Sequence, residues 1–527
     1  MEKEILKICM EKGFLLDKEM LGLLGELDEE IARDLIESLK NLKIEERVIT
    51  KTVFSKNIEK IRRVVGGKSK VVIENFFISL GYSRTEVEPV KSKQEVGGLK
   101  ILYSPSFIPR KIVVQDFVRS FKARYEQIRN ILRGRDLENL TSLRRIGDSR
   151  DNYSVIVSVV DKRITKNKNL LLEVEDLTGR GRILINNNKE EVFQKAKDLM
   201  LDDIVAFKVS GNNEWLYAND LIFPEAFLQE KRRHDKEVLV AFASDWHLGS
   251  IMFLEKNLLK FINWLNGLEG DGLHREMAMK IKYLFITGDS VDGVGVFPAQ
   301  ENFLIQKDFR TQYKRLAEIL GKIRKDIKII ICPGQHDAFW VGHPQPAIGE
   351  KWAPELHEME NVILVANPSL VEIDGGFKVL MYHGAGMHTF VEAIEDIRMN
   401  YKHDSPTRVI KEMLKRRHLM PSHGAQCDYI PIEKYDPLVI STVPDVITTG
   451  DWHRADVGLY NNILMIASSC WQSITPFEEK VGNNPDPCKV PILNLKTREV
   501  KILDFSDDEI EVAGEEDGKE IVCEVKK

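Results

Sequence analysis

EVLVAFASDWH, residues 237–247, is a run of mostly apolar residues that stops on a carboxylate and an imidazole. Four later stretches share that design: YLFITGDS at 283–290, IKIIICPGQHD at 327–337, VLMYHG at 379–384 and VITTGDWH at 446–453. A short unbroken apolar run bounded by turn-formers reads as a strand buried on both faces. Helical spacing separates the runs, as in Phe309–Ile323 and Pro406–Arg416. Strands at Glu237–Ala243, Tyr283–Thr287, Ile327–Cys332, Val379–Tyr382, Val446–Thr449 and Ile463–Ala467 thus alternate with helices. That alternation predicts a layered α/β domain over residues 237–505.

Open α/β sheets bind ligands at the carboxyl ends of their strands. Each of the five runs ends there on a polar cluster: Asp245-Trp246-His247, Gly288-Asp289, Gly334-Gln335-His336-Asp337, His383-Gly384 and Gly450-Asp451-Trp452-His453. A lone histidine after a strand is more often a hydrogen-bonded structural residue than a ligand. Five such clusters on one sheet edge, without a counter-ion, would be expensive in self-repulsion and desolvation. Divalent metals supply the missing positive charge. A phosphodiester resists water because its anionic oxygens repel a nucleophile; two metals about 4 Å apart cancel that charge, activate water and hold the phosphate for in-line attack. Mixed carboxylate, imidazole and amide donors suit manganese, magnesium or iron better than a thiolate-loving metal.

The order D-x-H, G-D, G-N-H-D, H-G, G-H-x-H is that of calcineurin-like metallophosphoesterases, and this sequence resembles it with two departures, Gln335 for asparagine and Asp451 for histidine. The resemblance implies a first metal on Asp245, His247, Asp289 and His453. Asp289 would bridge to a second, completed by Gln335, His383 and Asp451. It also implies that His336 sits beside the scissile phosphate and supports the departing 3′-oxygen, with Asp337 orienting it. The cofactors expected are two divalent ions, manganese or magnesium, within an α/β phosphoesterase sandwich.

Upstream the pattern changes several times. Residues 1–64 carry helical spacing (Met20, Leu21, Leu24, Leu27, Ile31, Leu35) and predict a small helical domain. Residues 65–115, with Gly, Pro, Ser and Lys clusters, read as a linker. Within it Gly67-Lys68-Ser69 looks like the end of a phosphate-binding loop, but Arg62 stands where the opening glycine is needed. Residues 116–150 form a helical connector, with apolar residues at helical spacing over Phe117–Leu132. Over 151–230, strands at Ser154–Val160, Leu170–Glu175, Arg182–Ile185, Ile204–Lys208 and Trp215–Ala218, interrupted by helical Lys189–Leu201, fit an OB-fold (oligonucleotide/oligosaccharide-binding) β-barrel. Such barrels bind single strands by stacking bases on aromatic rings. Here Tyr153, Phe193, Phe207, Trp215 and Tyr217 form no ladder, which favours docking on a protein. Residues 506–527 read as a solvated acidic tail.

At 527 residues the chain exceeds one ordinary core, and its 43% apolar and 30% charged residues describe a folded, soluble multidomain protein. No run of about 18 uncharged apolar residues occurs, and the N-terminus MEKEILKICMEKG carries acids, so neither a membrane span nor a signal peptide is expected. The expected location is cytoplasmic. Six cysteines without C-x-x-C spacing are expected to be reduced thiols. The net charge of −6 lacks the basic signature of a chain that grips DNA alone.

A barrel upstream of a phosphoesterase domain resembles the small subunits of replicative DNA polymerases. DFVRSFKARYEQIRNILR at 116–133, PQPAI at 344–348, IKEMLKRRHL at 410–419, Ser469–Phe477 and Pro485–Pro491 are similar to the archaeal D-family small subunits. That resemblance, over residues 116–505, implies a proofreading 3′→5′ exodeoxyribonuclease that releases 5′-mononucleotides within a two-subunit DNA-directed DNA polymerase. Its implied partners are the large catalytic subunit and a DNA primer-template or single-stranded 3′ end. The alternative is an inactive scaffold that only holds the polymerase subunit. A free-standing repair nuclease or small-molecule phosphodiesterase is weakened by the barrel and the acidic charge.

Overall fold

A computed structural model gives the arrangement of the chain. It describes residues 98–106, 111–338, 340–424, 428–432, 434–481, 483–506 and 511–512, with scattered positions before residue 51. The chain divides into two units, residues 1–88 and 89–527. In the first, Leu15–Leu16 pairs in parallel with Val48–Ile49, and Cys9, Phe14, Leu24 and Ile36 are buried. Most of the helical domain expected at 1–64, and the Gly67-Lys68-Ser69 segment, lie outside the described residues.

The second unit opens with β1 (Lys100–Tyr103), which pairs antiparallel with Leu370–Glu372. This part of the expected linker is therefore sheet: Leu99 and Ile101 bury apolar side chains that a tether would leave in water. Helix α1 (Val114–Leu132) starts where the Asp116 carboxylate accepts a hydrogen bond from Val113 N at 2.9 Å, satisfying one orphan donor of the first turn.

Strand β2 (Asp151–Ile164) has 14 residues and serves two neighbours. Its first half pairs with β5 (Ile204–Gly211), and from Ser158 onward, with a register shift at Val159–Asp161, it pairs with β3 (Leu170–Glu175). Then β4 (Arg180–Ile185), helix α2 (Glu190–Lys197) and β6 (Leu216–Ile222) complete a circuit β2-β3-β4-β6-β5-β2. Alternate residues point inward, so Val155, Val157 and Val159 meet Leu170, Leu172, Val174, Ile183, Val205 and Phe207 in one core.

The rest forms two facing sheets. The first contains parallel β7 (Leu239–Ala243), β8 (Ile281–Thr287), β9 (Lys328–Cys332) and β10 (Val362–Leu364). The second is built on β11 (Ser369–Ile373), β12 (Phe377–Met381), β13 (Val446–Thr449), β14 (Asp456–Tyr460) and β15 (Ile463–Ala467), in the order β14-β15-β13-β12-β11-β1. Antiparallel β16 (Lys489–Asn494) and β17 (Val500–Asp504) extend the first sheet beyond β7. Glu511–Val512, inside the stretch read as tail, pairs with β17.

Strand alternation explains the layers. On β7, Val240 and Phe242 join Phe285, Ile330, Val379, Met381, Val446 and Ile466 in the core between the sheets. Leu239, Ala241 and Ala243 face the other way, onto α3 (Glu255–Leu265) and α4 (Phe309–Leu320). The outer face of the second sheet (Leu380, Ile447, Met465) packs on α5 (Met387–Ala393) and α6 (Pro406–Arg416). The order is helix, sheet, sheet, helix. Two buried ion pairs tie the preceding parts to this body: Arg416 with Asp203, at 3.0 and 3.1 Å, and Arg124 with Asp436. Such pairs contribute little net stability, but removing one partner costs about 3–5 kcal/mol, so they fix orientation.

Candidate metal centre

The carboxyl ends of β7, β8, β9, β12 and β13 meet where the two sheets converge, and every expected site residue lies in the loops that leave them. These loops turn abruptly. Asp245, His247, Asp289, Asp451 and His453 all have positive φ, between 47° and 68°. A left-handed non-glycine residue costs roughly 1–3 kcal/mol and persists only where surrounding structure holds it. Here the turn swings each side chain back over the strand ends. Close approach requires glycine at motif positions: a Cβ on Gly334 would lie 2.2 Å from Asp289 Oδ1, and one on Gly288 2.1 Å from His383 Nδ1.

One half of the centre is Asp245, His247 and His453, whose donor atoms lie within 4.8 Å of one another. The two Nε2 atoms face each other at 3.1 Å. Each outer nitrogen is held by a carboxylate, His247 Nδ1 by Asp292 Oδ1 at 3.0 Å and His453 Nδ1 by Glu478 Oε1 at 2.7 Å. An imidazole that donates through Nδ1 presents the Nε2 lone pair, which is the orientation of a metal ligand. Burial opposes ionisation of Glu478, but His453 outweighs it and holds the carboxyl down at about 2.

The other half is Asp245, Asp289 and His383. His383 donates through Nδ1 to Thr287 O at 2.8 Å, which turns Nε2 toward Asp289 Oδ2 at 3.2 Å, Asp451 Oδ1 at 3.8 Å and Asp245 Oδ1 at 3.9 Å. Burial disfavours a charged His383, yet the carboxylates of Asp289, Asp245 and Asp451 raise its pKa well above the ordinary value. The same field attracts any cation. Among the described residues, His383 Nε2 and Gln335 Oε1 are buried without a hydrogen-bond partner. Buried polar atoms are nearly always paired, and leaving one unpaired costs about 1–3 kcal/mol. Two unpaired ligand atoms beside the buried carboxylates of Asp289 and Asp451 fit a divalent cation. Gln335 also lines a cavity of about 310 Å³ with Val294, Val296, Phe309, Val341 and Trp352.

His336 is half-buried. Its backbone N donates to Asp289 Oδ1 at 2.8 Å, and its Nδ1 meets Asp292 O at 2.7 Å, leaving Nε2 for the cleft. Asp337 does not orient it. The Asp337 carboxylate accepts from Gly334 N, Ser290 N and Tyr313 OH at 2.9, 3.3 and 2.8 Å, so it braces two site loops, and no hydrogen bond joins it to His336 among the described residues. Burial, aided by the charge of Asp289, pushes Asp337 up to about 6.

Sequence reasoning missed Asp292, Glu478 and His388, whose Nε2 lies 3.1 Å from Asp451 Oδ2. Asp292 stood only three residues beyond Asp289, and a second carboxylate in one strand-end loop could have flagged it. Glu478 and His388 reach the centre from distant helices and carry no local signal.

A family described as the B subunit of DNA polymerase alpha/epsilon matches residues 240–457. The DNA polymerase II small subunit of Methanothermobacter thermautotrophicus is 34% identical over 395 residues, covering 75% of this chain and 80% of the relative. That of Archaeoglobus fulgidus is 34% identical over 453 residues, covering 82% and 89%. Among solved structures, similarity extends to a novel archaeal phosphodiesterase, 15% identical over 50% of this chain and 98% of that one, with a TM-score of 0.26. A zinc-complexed Vps29 from Entamoeba histolytica is 13% identical over 52% and 97%, with a TM-score of 0.25.

Proposed function

The chain belongs to the family of archaeal DNA polymerase II small subunits, and from that premise we propose that its α/β body is a two-metal 3′→5′ exonuclease serving a separate large polymerase subunit. The observation that carries this reading is a pair of unpaired buried atoms, Gln335 Oε1 and His383 Nε2, set beside Asp289 and Asp451 and next to a pair of imidazoles fixed by carboxylates. Asp245, His247, Asp289 and His453 would hold one divalent ion, manganese or magnesium. Asp289, Gln335, His383 and Asp451 would hold the other. When bound, such a pair offsets the phosphodiester's negative charge and activates water for in-line attack.

The protein's own groups do the rest. His336, fixed through Nδ1 by Asp292 O, presents Nε2 to the cleft and, when protonated, donates to the departing 3′-oxygen. Water oxygen joins phosphorus as the bond to that 3′-oxygen breaks, which frees a 5′-mononucleotide and leaves a primer with a 3′-hydroxyl. The calcineurin-like phosphoesterase sandwich is the fold this reading assigns to the facing sheets. The five-strand circuit, with α2 between its third and fourth strands, is read as an OB-type barrel. Its exposed aromatics include Trp215, which Arg182 already covers at 5.7 Å, so docking on the large subunit is preferred over base stacking. Because phosphate contacts dominate DNA affinity and this chain carries a net charge of −6, grip on the primer depends on basic residues of that partner.

The test is digestion of a 5′-labelled primer with manganese, with and without the large subunit. A ladder shortening from the 3′ end is expected, stronger with the partner. No shortening at any manganese or magnesium concentration with the partner present would leave the scaffold reading.

A further inference from the structure

Resting on the two-metal reading above, we propose that His388 is a positioning residue for the second half of the centre, fixing the Asp451 carboxylate and thereby setting that half's metal affinity. Asp451 leaves β13 with φ of 68°, and its two oxygens diverge. Oδ1 lies 3.8 Å from His383 Nε2, on the ligand side. Oδ2 lies 3.1 Å from His388 Nε2, which reaches it from α5 in a different part of the sequence.

His388 is itself supported. Its Nδ1 meets His403 Nε2 at 3.2 Å, and both rings pack against buried Trp452, with centroids 5.8 and 5.0 Å away. A neutral imidazole donates through one nitrogen and accepts through the other. With Nε2–H directed at Asp451, Nδ1 accepts from His403, so Asp451, His388 and His403 form a line folded around the tryptophan that follows Asp451 in sequence. In the first half a carboxylate holds a ligand imidazole. Here an imidazole holds a ligand carboxylate, and without it the carboxylate could rotate about its free torsion and present neither oxygen reliably.

Manganese titration calorimetry of the full chain tests this. The wild type is expected to bind two equivalents. His388→Leu, which keeps volume but loses the nitrogen, should weaken the second equivalent about ten-fold and leave the first unchanged, the size of effect common when a ligand's outer partner is removed. His388→Gln, whose amide N–H reaches the carboxylate, should recover most of the loss. In combination with Asp451→Asn, His388→Leu should add little, because the two act through one contact. Should His388→Leu fail to fold, His403→Ala, which loosens His388 without removing it, should give a smaller loss confined to the same equivalent. Two equivalents bound with unchanged affinity in His388→Leu, or both weakened together, would overturn the assignment. A wild type that binds only one equivalent would overturn the two-metal reading and this inference together.

Discussion

The two halves of the centre are built differently. In the half formed by Asp245, His247 and His453, each imidazole is locked from behind by a carboxylate, Asp292 or Glu478. In the half formed by Asp289, Gln335, His383 and Asp451, the imidazole is held by the carbonyl of Thr287, His388 approaches Asp451, and Gln335 Oε1 and His383 Nε2 have no hydrogen-bond partner among the described residues. The first half is organised before any ion arrives. The second has its donors gathered by backbone turns and leaves the polarity of Gln335 and His383 unanswered. Outer carboxylates raise the basicity of an imidazole ligand and fix its orientation. The expected consequence is one tight ion and one weaker one, with activity tracking the weaker.

The largest effect should come from a residue that belongs to neither half. His336→Ala removes the ring that faces the cleft but no donor from either ligand set, so the rate should fall by about 10²–10⁴ while both manganese equivalents bind as before. Single-turnover digestion and titration of the same preparation check both parts. A loss of metal along with rate would place His336 inside the ligand set and erase the distinction. Next in size, Glu478→Gln trades the anion behind His453 for a neutral amide. Manganese affinity of the first half should drop about 10–100-fold, with the second half little changed. Equal weakening of both equivalents would mean that Asp289 couples the halves too strongly for the comparison to hold.

How much of this was legible beforehand follows from the range of the forces involved. Strands such as β7, β8 and β9 are continuous apolar runs because both faces are buried, so local composition announces them. The motif residues sit at their ends, so strand-end position groups Asp245, His247, Asp289, His383, Asp451 and His453 into clusters, and the family resemblance gives them their expected roles. The 310 Å³ cavity and the clasp of Asp292 on His247 needed three dimensions. Strand β14, Asp456–Tyr460, is half-buried throughout at the edge of its sheet, so it lacks the apolar run that marks its neighbours. β1 was read as tether because its four residues stand among glycines and lysines, and only pairing with β11 across about 270 residues of sequence makes them a strand. Asp337 was misassigned for a different reason. Adjacency to His336 in sequence suggests contact, but the Asp337 carboxylate is taken up by Gly334 N, Ser290 N and Tyr313 OH, partners that only the folded loops bring together.

The smallest effect isolates reach. Gln335→Asn keeps a neutral amide oxygen and changes no charge, but it shortens the stem by one methylene. If Gln335 Oε1 is a donor of the second half, retreat of that oxygen should weaken the second manganese equivalent by less than about ten-fold, toward the low end of what outer-partner changes produce, and leave the first equivalent untouched. Gly334, packed against Asp289 and His383, cannot move inward to compensate, because even a Cβ there would overlap Asp289 Oδ1 at 2.2 Å. The chain therefore has little freedom to restore the contact. Competition between manganese and magnesium on wild type and variant gives the measurement. An unchanged second equivalent would show that Gln335 serves the neighbouring cavity with Val341 and Trp352 rather than the metal, and the second half would then rest on Asp289, His383 and Asp451 alone.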